Sequence, residues 1–451
     1  MGNNIFLIQI LFFLLYNDMT INCVLEIPLS RVQVQGIPKY PNIKIVEPEK
    51  ITNISTLNKK IFIDEGTTTI NGNELFIAKI KIGSNNQEFN LLFDTGSYLL
   101  WVAGINSNDA YMIKNHYNPE KSDTYEKLNE PCSIKYGSGS CKGYYYLDYF
   151  KYIKDKKFQL KFVVASETDF NVEGVDGIIG LGLNYRDKTT SFIQMLKEGG
   201  VTDSMKFSFK FNNFAVGEVG KLYIGKHKDF NSDTAYCPLL ATTYSKFSFW
   251  MCTMTSFGIK TSLFEQTSKK SYDIIFDTGT NFIILPLEYL NDLKSTLSKF
   301  NCREFQSDSL SSFQIACSRD SQLPDFTFEI NNYVLTIPYY YTFYATSQYK
   351  NVAFSRILFQ KSDYYIVGSP FFFAFHTLFD KDNEILAFYP EKSNYLIRNK
   401  NYFVIVMVSF VLILLFISLV YLIYRFIKMR RNVNKAQANN FPYNNYNASL
   451  Y

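Results

Sequence analysis

An internal duplication constrains this chain more than any other feature. Leu91-Leu92-Phe93-Asp94-Thr95-Gly96 recurs as Ile274-Ile275-Phe276-Asp277-Thr278-Gly279, each an apolar strand running into an Asp-Thr-Gly turn. The two aspartates lie 183 residues apart. Each turn is followed, 84 and 89 residues after its glycine, by an apolar-apolar-glycine motif, Ile178-Ile179-Gly180 in one half and Ile366-Val367-Gly368 in the other. A lone Asp-Thr-Gly would be ordinary turn chemistry. Two copies in matching strands, with matching partners in the same order, imply two related halves meeting at a pseudo-two-fold axis.

From Glu74 onward, short apolar runs alternate with turn residues, as in FIAKIKIG, KFVVAS, KLYIG and TFEI, which predicts a mainly β body. A content of 34 Tyr and 42 Phe goes with that reading, because aromatic rings fit pleated, half-buried surfaces. Helical pattern is confined to short pieces, Ser191 to Glu198 and Leu287 to Phe300, the second opened by Pro286 and amphipathic through Leu290, Leu293 and Leu297.

If each half presents one Asp at the axis, Asp94 meets Asp277. Two adjacent carboxyls cannot both ionise cheaply, so the pair shares a proton and offers a base and an acid in one place. That combination can activate a water and protonate a carbonyl oxygen, which peptide hydrolysis requires. Gly96 and Gly279 would permit the tight turns and let peptide amides approach the carboxylates. Thr95 and Thr278 can send hydroxyls across the axis, and Ser97 and Thr280 can donate to the outer carboxylate oxygens. No cofactor or metal is expected. The sequence lacks HExxH, GxSxG, GxxxxGK, GxGxxG and paired CxxC patterns, and His116, His227 and His376 have no catalytic or metal-ligand spacing.

Two apolar stretches indicate compartment. Ile5 to Tyr16 is too short to span a bilayer and suits a signal peptide covering 1–23, although the segment has no basic start and no clear cleavage site. Phe403 to Tyr424 holds 22 uncharged residues and predicts a transmembrane helix. Arg425, Lys428, Arg430, Arg431 and Lys435 follow it, against Arg398 and Lys400 before it, which places the tail 425–451 in the cytosol and the body in the lumen or outside. The expected arrangement is a single-pass type I membrane protein of the secretory pathway. Its parts are a pro-segment or linker at 24–69, an N-terminal lobe at 70–240, a C-terminal lobe at 241–392 and a juxtamembrane linker at 393–402. The pro-segment carries the sequon at Asn53. The net charge of +5 is spread along the chain apart from the cluster beside the membrane helix, so nucleic-acid binding is not expected.

Cys23 falls at the signal-peptide end, leaving six cysteines in the body. Six allow 15 connectivities. Sequence proximity suggests Cys132 with Cys141, Cys237 with Cys252, and Cys302 with Cys317, with free buried thiols as the alternative.

The motifs FDTGSYLLWV, DGIIGLG, IIFDTGT, LPDFTF and YYIVGSPFFF resemble the signature set of pepsin-like aspartic proteases, over about Glu74 to Pro390. The Tyr, Phe, Asn and Lys bias and the anchored architecture further resemble the plasmepsins of apicomplexan parasites. The resemblance implies a bilobal β fold with a cleft between the lobes, covered by a hairpin flap matching Ile134 to Ser140. Tyr136 would be the flap tyrosine, Trp101 its indole donor, and Gly137 and Ser138 the groups that bond the substrate backbone. It implies an acid-active, monomeric endopeptidase that takes extended protein or peptide substrates with apolar residues around the cut. Cys302 and Cys317 match the family's second-lobe disulfide. Val24 to Leu29 is similar to the start of a pro-segment that pairs with the body, with Lys39, Lys44, Lys50, Lys59 and Lys60 as candidates to mask the aspartates.

The sequence departs from the family pattern in three places. The usual first-lobe disulfide loop is missing, since Gly104 to Pro119 has no cysteine. Cys132 and Cys141 instead bracket the flap, in a register that does not set them directly opposite. Asn281 replaces the common Ser after the second motif, beside the expected subsites. The rival reading is an inert, membrane-tethered receptor of the same fold. Such proteins would lack an Asp, a Gly or the flap tyrosine, and all are present here.

Overall fold

The computed structural model describes residues 25–33, 74–109, 113–136, 139–153, 156–170, 172–183, 191–211, 218–225, 234–240, 249–261, 265–306, 312–345, 349–362, 364–390, 396–398 and 400–438. The expected signal peptide, Asn53, the five candidate masking lysines, Gly137, Ser138, His227 and the tail beyond 438 lie outside the described residues.

Most of the body forms two sheets. In the first, the strand Gln87–Asp94 lies between Glu74–Ile82, antiparallel to it, and Gly177–Gly180, parallel to it. The strand Leu100–Asn108 continues the sheet on the far side of Gly177–Gly180, and beyond it come Lys156–Thr168, Gly139–Ile153 and the edge strand Glu126–Tyr136. In the second sheet, Tyr272–Phe276 runs parallel to Tyr365–Val367, which Ile283–Pro286 flanks antiparallel. The duplicated motifs therefore build the same local unit twice. An Asp strand lies beside an apolar-apolar-glycine strand, and the chain leaving the turn comes back along that partner's other side. Gly177–Gly180 is buried throughout, as a strand with neighbours on both edges and both faces requires.

The halves share strands. Ala235–Pro238, Phe375–Asp380 and Ile385–Pro390 join the first sheet next to Lys206–Phe211. The strand Leu25–Gln33 also lies within this sheet, between Glu218–Ile224 and Glu74–Ile82. Its alternation is simple: Leu25, Ile27 and Leu29 are buried while Glu26, Pro28 and Ser30 are exposed. One large core runs through the body, rich in Phe, with Phe207, Phe209, Phe211 and Phe379 packed in stacked and edge-to-face pairs.

Helices are few. Phe192–Glu198 and Leu287–Leu297 fall where the pattern placed them, and the latter passes into a 3-10 turn closed by Asn301 in the left-handed region at φ 53°. Cys237–Cys252 and Cys302–Cys317 are disulfides. Cys132 and Cys141 are not bonded, which corrects that expectation. In the hairpin register Cys132 faces Gly143 and Cys141 faces Ile134, so the two cysteines are diagonal neighbours on one face. Diagonal pairs stand about 7–8 Å apart, beyond the ordinary reach of a disulfide. Both pack into a smaller core around Trp101, and burial raises each thiol above its ordinary pKa.

The C-terminal unit is a separate helix, Lys400–Ala438, of 39 residues. Its segment Val411–Asn432, 22 residues with exposed side chains, is long and apolar enough to cross a membrane and overlaps the expected span 403–424.

Candidate active site

Asp94 ends its strand, and its backbone is held by the parallel neighbour: the Leu181 amide donates to the Asp94 carbonyl at 2.7 Å. Asp277 follows the strand Tyr272–Phe276, and its amide donates to the Val367 carbonyl at 3.0 Å. The partner glycines let the turns approach closely. A Cβ on Gly180 would collide with the backbone of Tyr98 and Leu99, and one on Gly368 with the carbonyls of Thr280 and Phe282.

These supports bring the two carboxyls together. The Asp94 and Asp277 carboxyls face each other across the two Asp-Thr-Gly turns, and they are only 8% and 9% exposed. Gly96 and Gly279 line the contact. A Cβ on Gly96 would lie 2.6 Å from the Asp277 Cγ, and one on Gly279 would lie 2.5 Å from the Asp94 Oδ1. Only glycine fits at either position.

The donors around the pair are mirrored. The Gly96 amide donates to Asp94 Oδ1 at 2.8 Å and the Gly279 amide to Asp277 Oδ1 at 2.8 Å. On the outer oxygens, the Ser97 hydroxyl donates to Asp94 Oδ2 at 2.5 Å and the Thr280 hydroxyl to Asp277 Oδ2 at 2.6 Å. Beneath them the threonines cross the axis. Thr95 Oγ1 donates to the Phe276 carbonyl at 2.8 Å and accepts from the Thr278 amide at 2.9 Å. Thr278 Oγ1 donates to the Phe93 carbonyl at 2.7 Å and accepts from the Thr95 amide at 3.1 Å. All four bonds are buried, so neither loop can shift without breaking bonds to the other.

Burial pushes Asp94 well above the ordinary carboxylate pKa, and the neighbouring Asp277 carboxyl pushes the same way through its charge and hydrogen bond. Ser97 and the Gly96 amide act against this by stabilising the anion.

Of the expected flap residues, Tyr136 pairs with Gly139 at the end of the hairpin, and its side chain lies outside the described residues together with Gly137 and Ser138. The hairpin is tied near its tip by the Ser140 amide donating to Asp169 and by Thr168 Oγ1 donating to the Ser140 carbonyl. Trp101 is fully buried, edge-on to Phe170 at 5.8 Å, and its indole nitrogen has no partner among the described residues. Asn281 is half-buried next to Thr280. Sequence reasoning assigned no role to Asp176, which opens the DGIIGLG motif. This buried carboxylate accepts from the Asn90 amide at 2.8 Å and from Asn115 through its amide and side chain at 3.0 and 2.8 Å, bracing the Asp94 strand. Its place directly before Gly177 was the available signal.

Residues 75–390 match the family described as eukaryotic aspartyl protease. The chain belongs to that family. Among its aspartyl protease relatives, rabbit gastricsin (Oryctolagus cuniculus) is 28% identical over 326 residues, 69% of this chain and 80% of its own length. Human gastricsin is 25% identical over 325 residues with the same shares. The probable vacuolar protease A of Trichophyton verrucosum is 30% identical over 282 residues, 60% of this chain and 66% of its own length. The two-sheet body is the family's bilobal pepsin-like fold. The match ends at Pro390, before the C-terminal apolar helix begins at Lys400.

Proposed function

We propose that Asp94 and Asp277 are the dyad with which this aspartic endopeptidase hydrolyses peptide bonds. The observation that carries the reading is a pair of buried carboxyls brought face to face across two glycines, each held by a glycine amide and a hydroxyl. The pair holds one proton and a water. The ionised carboxyl takes a proton from the water as it attacks, and the protonated carboxyl gives its proton to the carbonyl oxygen. The resulting diol collapses with a proton delivered to the leaving nitrogen, and no acyl-enzyme forms. Ser97 and Thr280 hold the outer oxygens while the two threonines fix the spacing.

The upward shift at Asp94 keeps one proton on the pair to higher pH than an isolated aspartate would. Activity is therefore greatest in acid and is lost as pH rises past that ionisation. The substrates are extended peptides with apolar residues on both sides of the cut, and the enzyme acts as a monomer. Tyr136, Gly137 and Ser138 cover and bind them, with the Trp101 indole as donor to Tyr136. The body works in the secretory pathway or at the cell surface, behind a signal peptide at 1–23 and a pro-segment at 24–69, with the tail in the cytosol. The apolar helix and its basic flank support that topology. The pairing of Leu25–Gln33 with the body supports the pro-segment. Aromatic-rich composition and the anchored architecture support a plasmepsin-like member. A short connection between body and helix favours substrates bound to, or confined beside, the same membrane.

The test is cleavage of a peptide library by detergent-solubilised full-length protein across pH, with Asp94→Asn and Asp277→Asn in parallel. Each substitution is expected to remove turnover, as the neutral carboxamide of asparagine can neither take nor give the shared proton. Cleavage that survives either one refutes the dyad, and peptide binding without cleavage by the parent points to a receptor.

A further inference from the structure

Four hydrogen bonds link the two Asp loops through a residue that no motif contains. The Leu181 amide donates to the Asp94 carbonyl at 2.7 Å, and the Trp250 indole N–H donates to the Leu181 carbonyl at 2.8 Å. The Phe276 amide donates to the Trp250 carbonyl at 2.9 Å, and Thr95 Oγ1 donates to the Phe276 carbonyl at 2.8 Å. Thr95 follows Asp94 and Phe276 precedes Asp277, so these bonds close a ring that passes through both loops. Trp250 supplies two of its groups, one from the side chain and one from the backbone.

We propose that Trp250 is a positioning residue for the dyad, its indole N–H fixing the Leu181 carbonyl and thereby the Asp94 backbone against the Asp277 loop. The inference rests on the dyad reading above. Trp250 is 2% exposed and meets Phe207 and Phe379 edge-on, at 5.6 and 5.2 Å. Those rings belong to the strands that the halves share, so the donor is anchored in the sheet and not in either loop. A buried indole needs an acceptor in any case, and a purely structural bond would affect stability alone. A positioning bond also affects how the carboxyls share a proton. If Asp94 drifts from Asp277 their mutual repulsion weakens, and the second proton leaves at lower pH. The charged and titratable groups on the strands packed against Trp250 and in the turns beside them include Lys206 with Asp380 at 2.8 Å, Lys381 with Glu384 at 3.0 Å, Lys197 with Asp382 at 3.7 Å, His376 against Ser208, and the exposed Lys210.

Trp250→Phe in the full-length protein removes the donor and keeps a ring. The expected result is a kcat about ten- to a hundredfold lower, the range that small misplacements of reacting groups produce, little change in KM, and an alkaline limb displaced to lower pH. Wild-type kcat with an unmoved limb overturns the proposal. A second measurement does not need that variant to fold. The chain has two tryptophans, so 5-fluorotryptophan labelling gives two fluorine signals, and Trp101→Phe assigns them. The Trp250 signal is expected to titrate with the midpoint of the alkaline limb and to lose that titration in Asp94→Asn. A flat signal, or one that titrates unchanged in Asp94→Asn and so reports Asp380 or His376, overturns the proposal. Turnover by Asp94→Asn would instead refute the dyad itself.

Discussion

Asp94 is buried beside a second carboxyl, and this has a consequence for stability as well as chemistry. Its pKa in the folded protein is raised, so the folded state keeps a proton that the unfolded chain has already released. Between the unfolded and folded values stability therefore declines as pH rises; the contribution is complete below the unfolded value and lost above the folded one. Thermal melts should show this directly. The Tm of Asp94→Asn relative to the parent is expected to move in the variant's favour from about pH 4, near the ordinary carboxylate range, to about pH 7. A difference independent of pH would mean that the carboxyl is not perturbed. The glycines give a sharper residue-scale expectation. Gly96→Ala and Gly279→Ala place a methyl inside the carboxyl contact. Each should reduce kcat by about a hundredfold or more in protein that still melts cooperatively, measured as turnover beside a melting curve. These residues were legible because each lies within three positions of its Asp. Trp250 was not, because its acceptor is 69 positions away in sequence.

At the scale of elements, the strands that carry the aspartates and their glycine partners could be read because the pattern repeats. What the repeat does not contain was hidden. Phe375–Asp380 and Ile385–Pro390 return to the first sheet by pairing with residues far back in the chain, and no local pattern marks that return. The cysteines show the same limit. Cys302 faces Cys317 directly across an antiparallel pair, whereas Cys132 and Cys141, closer still in sequence, are offset by the tip of their hairpin. Alkylation of denatured, unreduced protein is expected to label Cys132 and Cys141 and to spare Cys237, Cys252, Cys302 and Cys317. Replacing Cys302 and Cys317 together by Ala should lower stability by about 3 kcal/mol, the usual effect of opening a loop of this length, as read from denaturant melts. Replacing Cys132 by Ala should leave the oxidation state of every other cysteine as it was.

For the whole molecule, one body carries the chemistry and one helix the attachment. The helix runs 39 residues, about 58 Å at its ordinary rise and so longer than a bilayer core. The strand Leu396–Arg398 joins the edge of the second sheet next to Tyr333–Ile337, and the helix begins at Lys400. At the opposite end of the chain, Leu25–Gln33 is bonded along both edges, to Glu218–Ile224 and to Glu74–Ile82. A cut anywhere from 34 to 73 would sever the covalent link and leave that strand wedged in the sheet. Maturation by such a cut would not shed its first product. A short peptide would travel with the enzyme through a native column and part from it only in denaturant, so one peak on the column would become two species by mass.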